Sequence, residues 1–263
     1  MDVTQVRIDL IAEQDALDEA LASLTDDEWA LPSASERWSV ADQIAHLAYF
    51  DTAAAVAITD PEEFRGLAAE LLVHFGSDLE VDRATLGAYR ELSPVDLVDS
   101  WREARARLAV ASTTLADDDR VIWYGPSMGS KSFLTARLME CWAHGQDALD
   151  AVGRVRDESD RIQHIARLGF ITRGWSYANR ELQVPGTDVR VSLTAPSGAV
   201  WELGSPDAPE SIVGAAADFC LVVTQRRHVD DTALVVEGDA ARDWMLKAQA
   251  FAGPATDGPA ASA

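Results

Sequence analysis

The stretch from Ser132 to Val152 constrains the fold more than any other part of the chain. It holds no proline and stops at Gly153, a residue suited to ending a helix. Wound as an α-helix it is apolar over most of its circumference, through Leu138, Cys141, Trp142, Ala148 and Leu149. The same helix carries Glu140 and His144, four residues apart, so a carboxylate and an imidazole share one face a single turn apart. Asp147 continues that face. With so little solvent face available, these groups need partners. One reading is a solvated Glu–His pair; the other is a bound cation that satisfies both side chains.

Three more long helices precede this one. Val3 to Leu24 places Val6, Leu10, Leu17 and Leu21 at largely helical spacing. Ser39 can cap the next helix, and Asp42 three positions on completes a capping-box pattern, after which Ile44, Leu47, Ala48, Ala55 and Ile58 lead to Asp60-Pro61. A shorter helix is expected over Pro61 to Phe75. Ser93-Pro94 opens another, running past Trp101 and Leu108 to Leu115. Four long helices with modest links predict a bundle. A Gly/Pro/Ser loop, Gly125 to Ser130, leads into the last of them.

Beyond Gly153 the pattern changes. Arg161 to Leu182 is expected as helix, followed by strand-like alternation at Val189, Val191 and Leu193 and again at Val200 to Leu203. Ile212 to Val223 is expected as helix, Ala233 to Glu237 as strand and Ala240 to Phe251 as a closing helix. The expected organisation is a two-domain α+β chain: a helical bundle over 1–157, a small α+β domain over 158–253 and a disordered tail over 254–263.

Charge narrows the partners. The chain has 44 acidic against 22 basic residues, a formal charge of −22. That balance excludes nucleic acid as a partner and disfavours an anionic membrane surface. No apolar run is long enough to span a bilayer, and Met1-Asp2-Val3-Thr4-Gln5 lacks a basic stretch followed by an apolar one, so the expected location is cytoplasmic. Cys141 and Cys220 each sit in an apolar segment and are expected as buried free thiols.

A second histidine joins the argument. His46 lies in mid-helix among Ile44, Ala45, Leu47 and Phe50, where a satisfied core histidine is the ordinary outcome. In a bundle, however, the second and fourth long helices can face each other, which brings His46 opposite Glu140 and His144. Two imidazoles and a carboxylate with one open position is the catalytic form of a zinc site, and the same donors accept nickel, cobalt or iron.

The run Trp38-Ser39-Val40-Ala41-Asp42-Gln43-Ile44-Ala45-His46-Leu47 resembles the second-helix motif of the mycothiol-dependent maleylpyruvate isomerase family, one of the DinB-like metal-binding helical bundles. Glu140-x-x-x-His144 with Asp147 is similar to that family's fourth-helix motif. The resemblance implies a DinB-like four-helix bundle with His46, Glu140 and His144 as metal ligands, then a small C-terminal α+β domain. That domain carries the run Ala217-Asp218-Phe219-Cys220-Leu221-Val222-Val223-Thr224-Gln225-Arg226-Arg227. In the family an arginine of this domain reaches the active site, and Arg226 matches it, with Arg227 adjacent. The plain alternative for both is a pair of helix-end cations on the last carbonyls. The Gln225-to-His228 run and the long Ser77-to-Glu91 connection resemble an uncharacterised actinobacterial branch.

The resemblance further implies mycothiol as cosubstrate and a divalent metal, zinc by preference. Thiolate addition to a small electrophilic substrate would then give isomerisation or S-conjugation. Two other readings stay open. A metal-activated water would make the protein a hydrolase. A closed site, with Asp147 or Gln43 as fourth ligand, would make it a metal-stabilised binding protein.

Overall fold

The long helices that start before residue 130 each begin on a side-chain cap. Asp2 accepts a hydrogen bond from Gln5 N–H at the start of α1 (Val3–Leu21). Ser39 and Asp42 form the reciprocal capping box of α3 (Val40–Thr59), with Ser39 N–H donating to Asp42 Oδ2 at 2.9 Å. Asp60 caps α4 (Pro61–Leu72), and Ser93 caps α6 (Pro94–Ala111), both with proline in the first turn. Between them lie a one-turn α2 (Asp26–Trp29), held by a Thr25–Glu28 capping box, and α5 (Asp78–Leu86). The α5 helix lies within the long Ser77-to-Glu91 connection. Its polar run hides the periodicity, and only Asp82, Thr85 and Leu86 are buried.

These elements come from a computed structural model that describes residues 2–262, a mixed helix and sheet structure. The chain divides into two compact units, Met1–Arg156 and Asp157–Ala263. In the first unit a two-residue hairpin, β1 (Arg120–Val121) and β2 (Met128–Gly129), folds the Gly/Pro/Ser loop back on itself before α7 (Ser130–Ala151). The α7 helix ends at Gly153 (φ +66°), with Gly153 N–H bonded to Asp150 O and Arg154 N–H to Leu149 O. A side chain at a positive φ is strained, so glycine suits this paired stop.

Helix α3 packs on α6 and α7, and α1 packs on α6 and α7. Trp101, Trp142, Ile44 and Leu47 are fully enclosed among them. One carboxylate ties the four together. Asp51 of α3, 1% exposed, accepts from Arg137 of α7 through Nε (3.0 Å) and Nη2 (2.8 Å), from Gln14 of α1 (2.9 Å) and from Trp101 of α6 (3.3 Å). Both carboxylate oxygens are used, which is the condition for burying such a charge without heavy loss.

The second unit holds α8 (Gln163–Ile171), α9 (Arg173–Ala178), β3 (Val189–Thr194), β4 (Val200–Leu203), β5 (Glu210–Ala215), α10 (Ala216–Val223), β6 (Val235–Glu237) and α11 (Asp239–Met245). Its sheet has the order β4-β3-β5-β6, with β3 and β5 parallel and the outer pairs antiparallel. Val191 and Leu193 of β3 and Ile212 of β5 enter the core with Phe219 and Trp244.

Three expectations are corrected here. The single helix Arg161 to Leu182 is a 3-10 turn and two helices. At Thr172 the backbone leaves helical geometry (ψ 7°), and its hydroxyl donates to Leu168 O at 2.7 Å. The helix expected over Ile212 to Val223 starts only at Ala216, because Ile212 and Val213 extend β5 beside β3. Likewise α11 ends at Met245 rather than reaching Phe251. Residues 254–262 carry no helix or strand. Gln249 Nε2 donates to Pro254 O at 3.0 Å, and Ser262 N–H donates to Asp231 at 3.0 Å.

Among the described residues no helix is long and apolar enough to cross a membrane.

Two substitutions test these constraints by urea denaturation. Asp51→Ala strands the Arg137 charge in the interior and is expected to cost about 3–5 kcal/mol, while Asp51→Leu combined with Arg137→Met recovers most of that loss. Gly238→Ala should cost roughly 1–3 kcal/mol. Gly238 sits at φ +103°, and a Cβ there would meet the Glu210 carboxylate that accepts Ala241 N–H at the start of α11.

Candidate metal centre

Arg137 and Glu140 lie three residues apart on α7, so the helix that carries the Asp51 contact presents Glu140 beside it one turn on. On α3 the antiparallel match runs from Asp51 back to His46. The outcome is a tight cluster. Glu140 Oε2 lies 3.4 Å from His46 Nε2 and 3.1 Å from His144 Nε2, and the two imidazole rings are 4.1 Å apart between centroids. One ligand atom from each of His46, Glu140 and His144 falls within 4.8 Å of the others. Among the described residues this is the group of three or more such side chains close enough to hold a metal ion.

The electrostatics leave His46 and Glu140 in the form a cation requires. Burial pushes the His46 imidazole down to about 3, helped by the neighbouring His144 and against the pull of Glu140, so its ring is neutral near pH 7. Burial alone would raise the Glu140 carboxyl, but the flanking His144 and His46 rings outweigh it and hold the group well below the usual carboxylate range. A neutral imidazole and an ionised carboxylate are the metal-binding states of these side chains.

Aromatic rings flank the donors. Trp38 lies 5.2 Å from His46 and 5.9 Å from His144, and Phe50 lies 4.5 Å from His46. Trp38 is held by its own Nε1–H, which donates to Asp82 Oδ1 of α5 at 3.0 Å. Phe50 leads on to Trp123 and Tyr124 in the hairpin loop. Neither flanking ring was singled out from sequence. Phe50, four residues after His46, shares its helical face, and that spacing was the available signal.

Gln43 and Asp147, weighed as a fourth ligand, lie on the other side of His144. Gln43 Oε1 is 2.5 Å from His144 Nδ1, and Asp147 Oδ2 is 3.9 Å from the same nitrogen, whereas Glu140 and His46 gather at Nε2. Cys141, next to Glu140 in sequence, is buried, and burial with nearby carboxylates pushes its thiol well up. Cys220 is buried too, with Sγ 3.5 Å from Ile162 O. Neither thiol has the exposed, electropositive setting of a nucleophile.

Arg226 belongs to the second unit, just past α10, where Gln225 takes a positive φ of 59°. Arg226 Nη1 donates to Thr224 O at 2.7 Å, and Arg227 Nη1 donates to Arg226 O at 2.7 Å.

Comparison with known proteins matches this architecture. A family model described as the mycothiol maleylpyruvate isomerase N-terminal domain matches residues 10–149, which takes in α3, nearly all of α7 and His46, Glu140 and His144. Two uncharacterized proteins of Mycobacterium tuberculosis, one from each of two strains, are 39% identical over 246 residues, covering 94% of this chain and 95% of theirs. Crystal structures of the mycothiol-dependent maleylpyruvate isomerase share the fold at 18% identity. One covers 90% of this chain and 93% of its own with a TM-score of 0.59. The other, a histidine-to-alanine mutant, covers 89% and 93% with a TM-score of 0.61. The chain belongs to the family defined by the mycothiol maleylpyruvate isomerase N-terminal domain.

Proposed function

We propose that this protein is a metal-dependent, mycothiol-using enzyme, an isomerase or S-transferase acting on a small electrophilic substrate. In this reading the long helices of the first unit are a DinB-like four-helix bundle, and His46, Glu140 and His144 hold the metal. The observation that carries the reading is the shared oxygen of Glu140, within 3.4 Å of one ring nitrogen from each histidine. A divalent cation bound there, zinc by the donor chemistry, supplies the Lewis acidity that keeps a thiol ionised near neutral pH.

The chain's own residues do the rest. The two neutral imidazoles and one carboxylate contribute a single negative charge, which leaves an attraction for an anionic sulfur. Trp38 and Phe50 flank the donors with apolar surface and limit the water that would otherwise compete. Arg226 is assigned to the carboxylate or oxyanion of the second substrate, as a fixed cation able to grip it at two points.

The metal is tested first. His144→Ala protein should keep its far-ultraviolet circular dichroism and lose zinc affinity by more than roughly 100-fold, beyond what outer partners of a ligand contribute. Full zinc occupancy in that variant would remove His144 from the site.

The thiol is tested on the cobalt-substituted protein. Mycothiol should add a sulfur-to-cobalt charge-transfer band, and its affinity should rise with pH through the neutral range because binding as thiolate releases a proton. Turnover with no thiol and no such band would favour water activation instead. Once a substrate is in hand, Arg226→Met should raise its KM at least tenfold, and Arg227→Met should leave it within about twofold, since losing a charge-assisted pair costs roughly 1.5–3 kcal/mol.

A further inference from the structure

A chain of hydrogen bonds reaches His144 from the loop before α3, and each link in it has a defined direction. Ser33 Oγ lies 3.0 Å from the carbonyl of Trp38, which can only accept, so the Ser33 hydroxyl proton points there. Toward its other neighbour Ser33 is therefore an acceptor. That neighbour is Gln43, 0% exposed, whose Nε2 lies 2.8 Å from Ser33 Oγ and 3.0 Å from Ser35 Oγ. An acceptor on that side fixes the amide with its NH2 toward the serines and its oxygen toward α7. Gln43 Oε1 then faces His144 Nδ1 at 2.5 Å, and since an amide oxygen can only accept, the ring proton sits on Nδ1. The lone pair of His144 Nε2 is left facing Glu140 and His46.

We propose that Gln43 is a positioning residue that fixes the Nδ1–H tautomer and ring orientation of His144, so that Nε2 is presented to the metal; this rests on the metal reading above. Three features mark a built device rather than an incidental contact. The amide is fully enclosed, both of its ends are engaged, and the serines that aim it belong to a tight turn. In that turn Ser33 N–H bonds to Trp38 O at 2.9 Å, and Trp38 N–H bonds to Ser35 O at 3.1 Å. The same turn delivers Trp38 against both histidine rings, so one loop sets a wall of the site and the tautomer of a ligand. Ligand histidines are commonly oriented through the ring nitrogen that does not touch the metal, and loss of such a partner lowers metal affinity by about 10–100-fold.

The test begins without any metal. Long-range proton–nitrogen correlation spectra of the metal-free protein, taken at a pH where the same spectra show the His144 ring to be neutral, report which nitrogen carries the proton. Wild type should show Nδ1–H. Gln43→Leu, which offers no acceptor, should move His144 toward Nε2–H, and Gln43→Glu, whose carboxylate accepts as the amide did, should retain Nδ1–H. Zinc affinity, measured by competition with a chromophoric chelator, should fall about 10–100-fold in Gln43→Leu and stay within a few-fold of wild type in Gln43→Glu. Should Gln43→Leu fail to fold, wild type and Gln43→Glu still decide, since an Nε2–H ring in either overturns the proposal. An unchanged tautomer and zinc affinity in folded Gln43→Leu overturns it as well. If the tautomer follows position 43 as expected while none of the proteins binds zinc, Gln43 keeps its orienting role and the metal reading is what fails.

Discussion

The buried carboxylate of Asp51 is the interaction on which the first unit turns. It accepts hydrogen bonds from side chains of α1, α6 and α7 while standing on α3, so the register of four helices meets at one point. A sliding contact between apolar faces would tolerate a shift of a turn, because one Leu or Ala is much like the next. A fixed charge cannot slide, since every step off register leaves the Arg137 guanidinium buried without a counter-charge. The site inherits that register. Arg137 and Glu140 are three apart on α7, and Asp51 and His46 are five apart on α3. Pinning the first pair therefore brings the second together.

The charge of −22 acquires meaning when set against this interior. Several arginines are spent on buried or half-buried acids: Arg137 on Asp51, Arg156 on Glu13, Arg105 on Asp18. Arg156 also packs over Trp142 and fills the space beside Gly145, where a Cβ would collide with its guanidinium. The surface is therefore more uniformly acidic than the composition alone conveys. An anionic substrate approaches against that field and needs a local cation to hold it. This is the physical reason an arginine such as Arg226 carries weight in the proposed chemistry.

Much of the first unit was legible because its signals are local. Ser39 with Asp42, Asp60-Pro61 and Ser93-Pro94 mark helix starts through hydrogen bonds spanning three residues, and Gly153 marks a stop through its positive φ. The grouping of His46 with Glu140 and His144 could be reached from spacing plus a bundle, since the two helices offered few other ways to seat polar groups. What escaped was non-local or too short. The β5 strand looked helical because Ile212, Val213 and the alanines after them suit either state, and only its neighbour β3 decides between them. The α5 helix is polar along most of its length, and the role of Gln43 depends on serines in a loop whose path no periodicity reveals.

The family model describes the first unit, while the relatives at 39% identity align over both. The family model covers residues 10–149, which include the three proposed metal donors, Gln43, Trp38 and the Asp51 hub, whereas the second unit lies outside it. Resemblance to the solved isomerase extends over both units in fold, yet at 18% identity most side chains differ. Metal donors tolerate little change, because their number, type and spacing are set by the ion. Groups that recognise a substrate can change with each substrate. A shared fold does not carry a shared substrate with it, because recognition rests on the particular side chains that line a site.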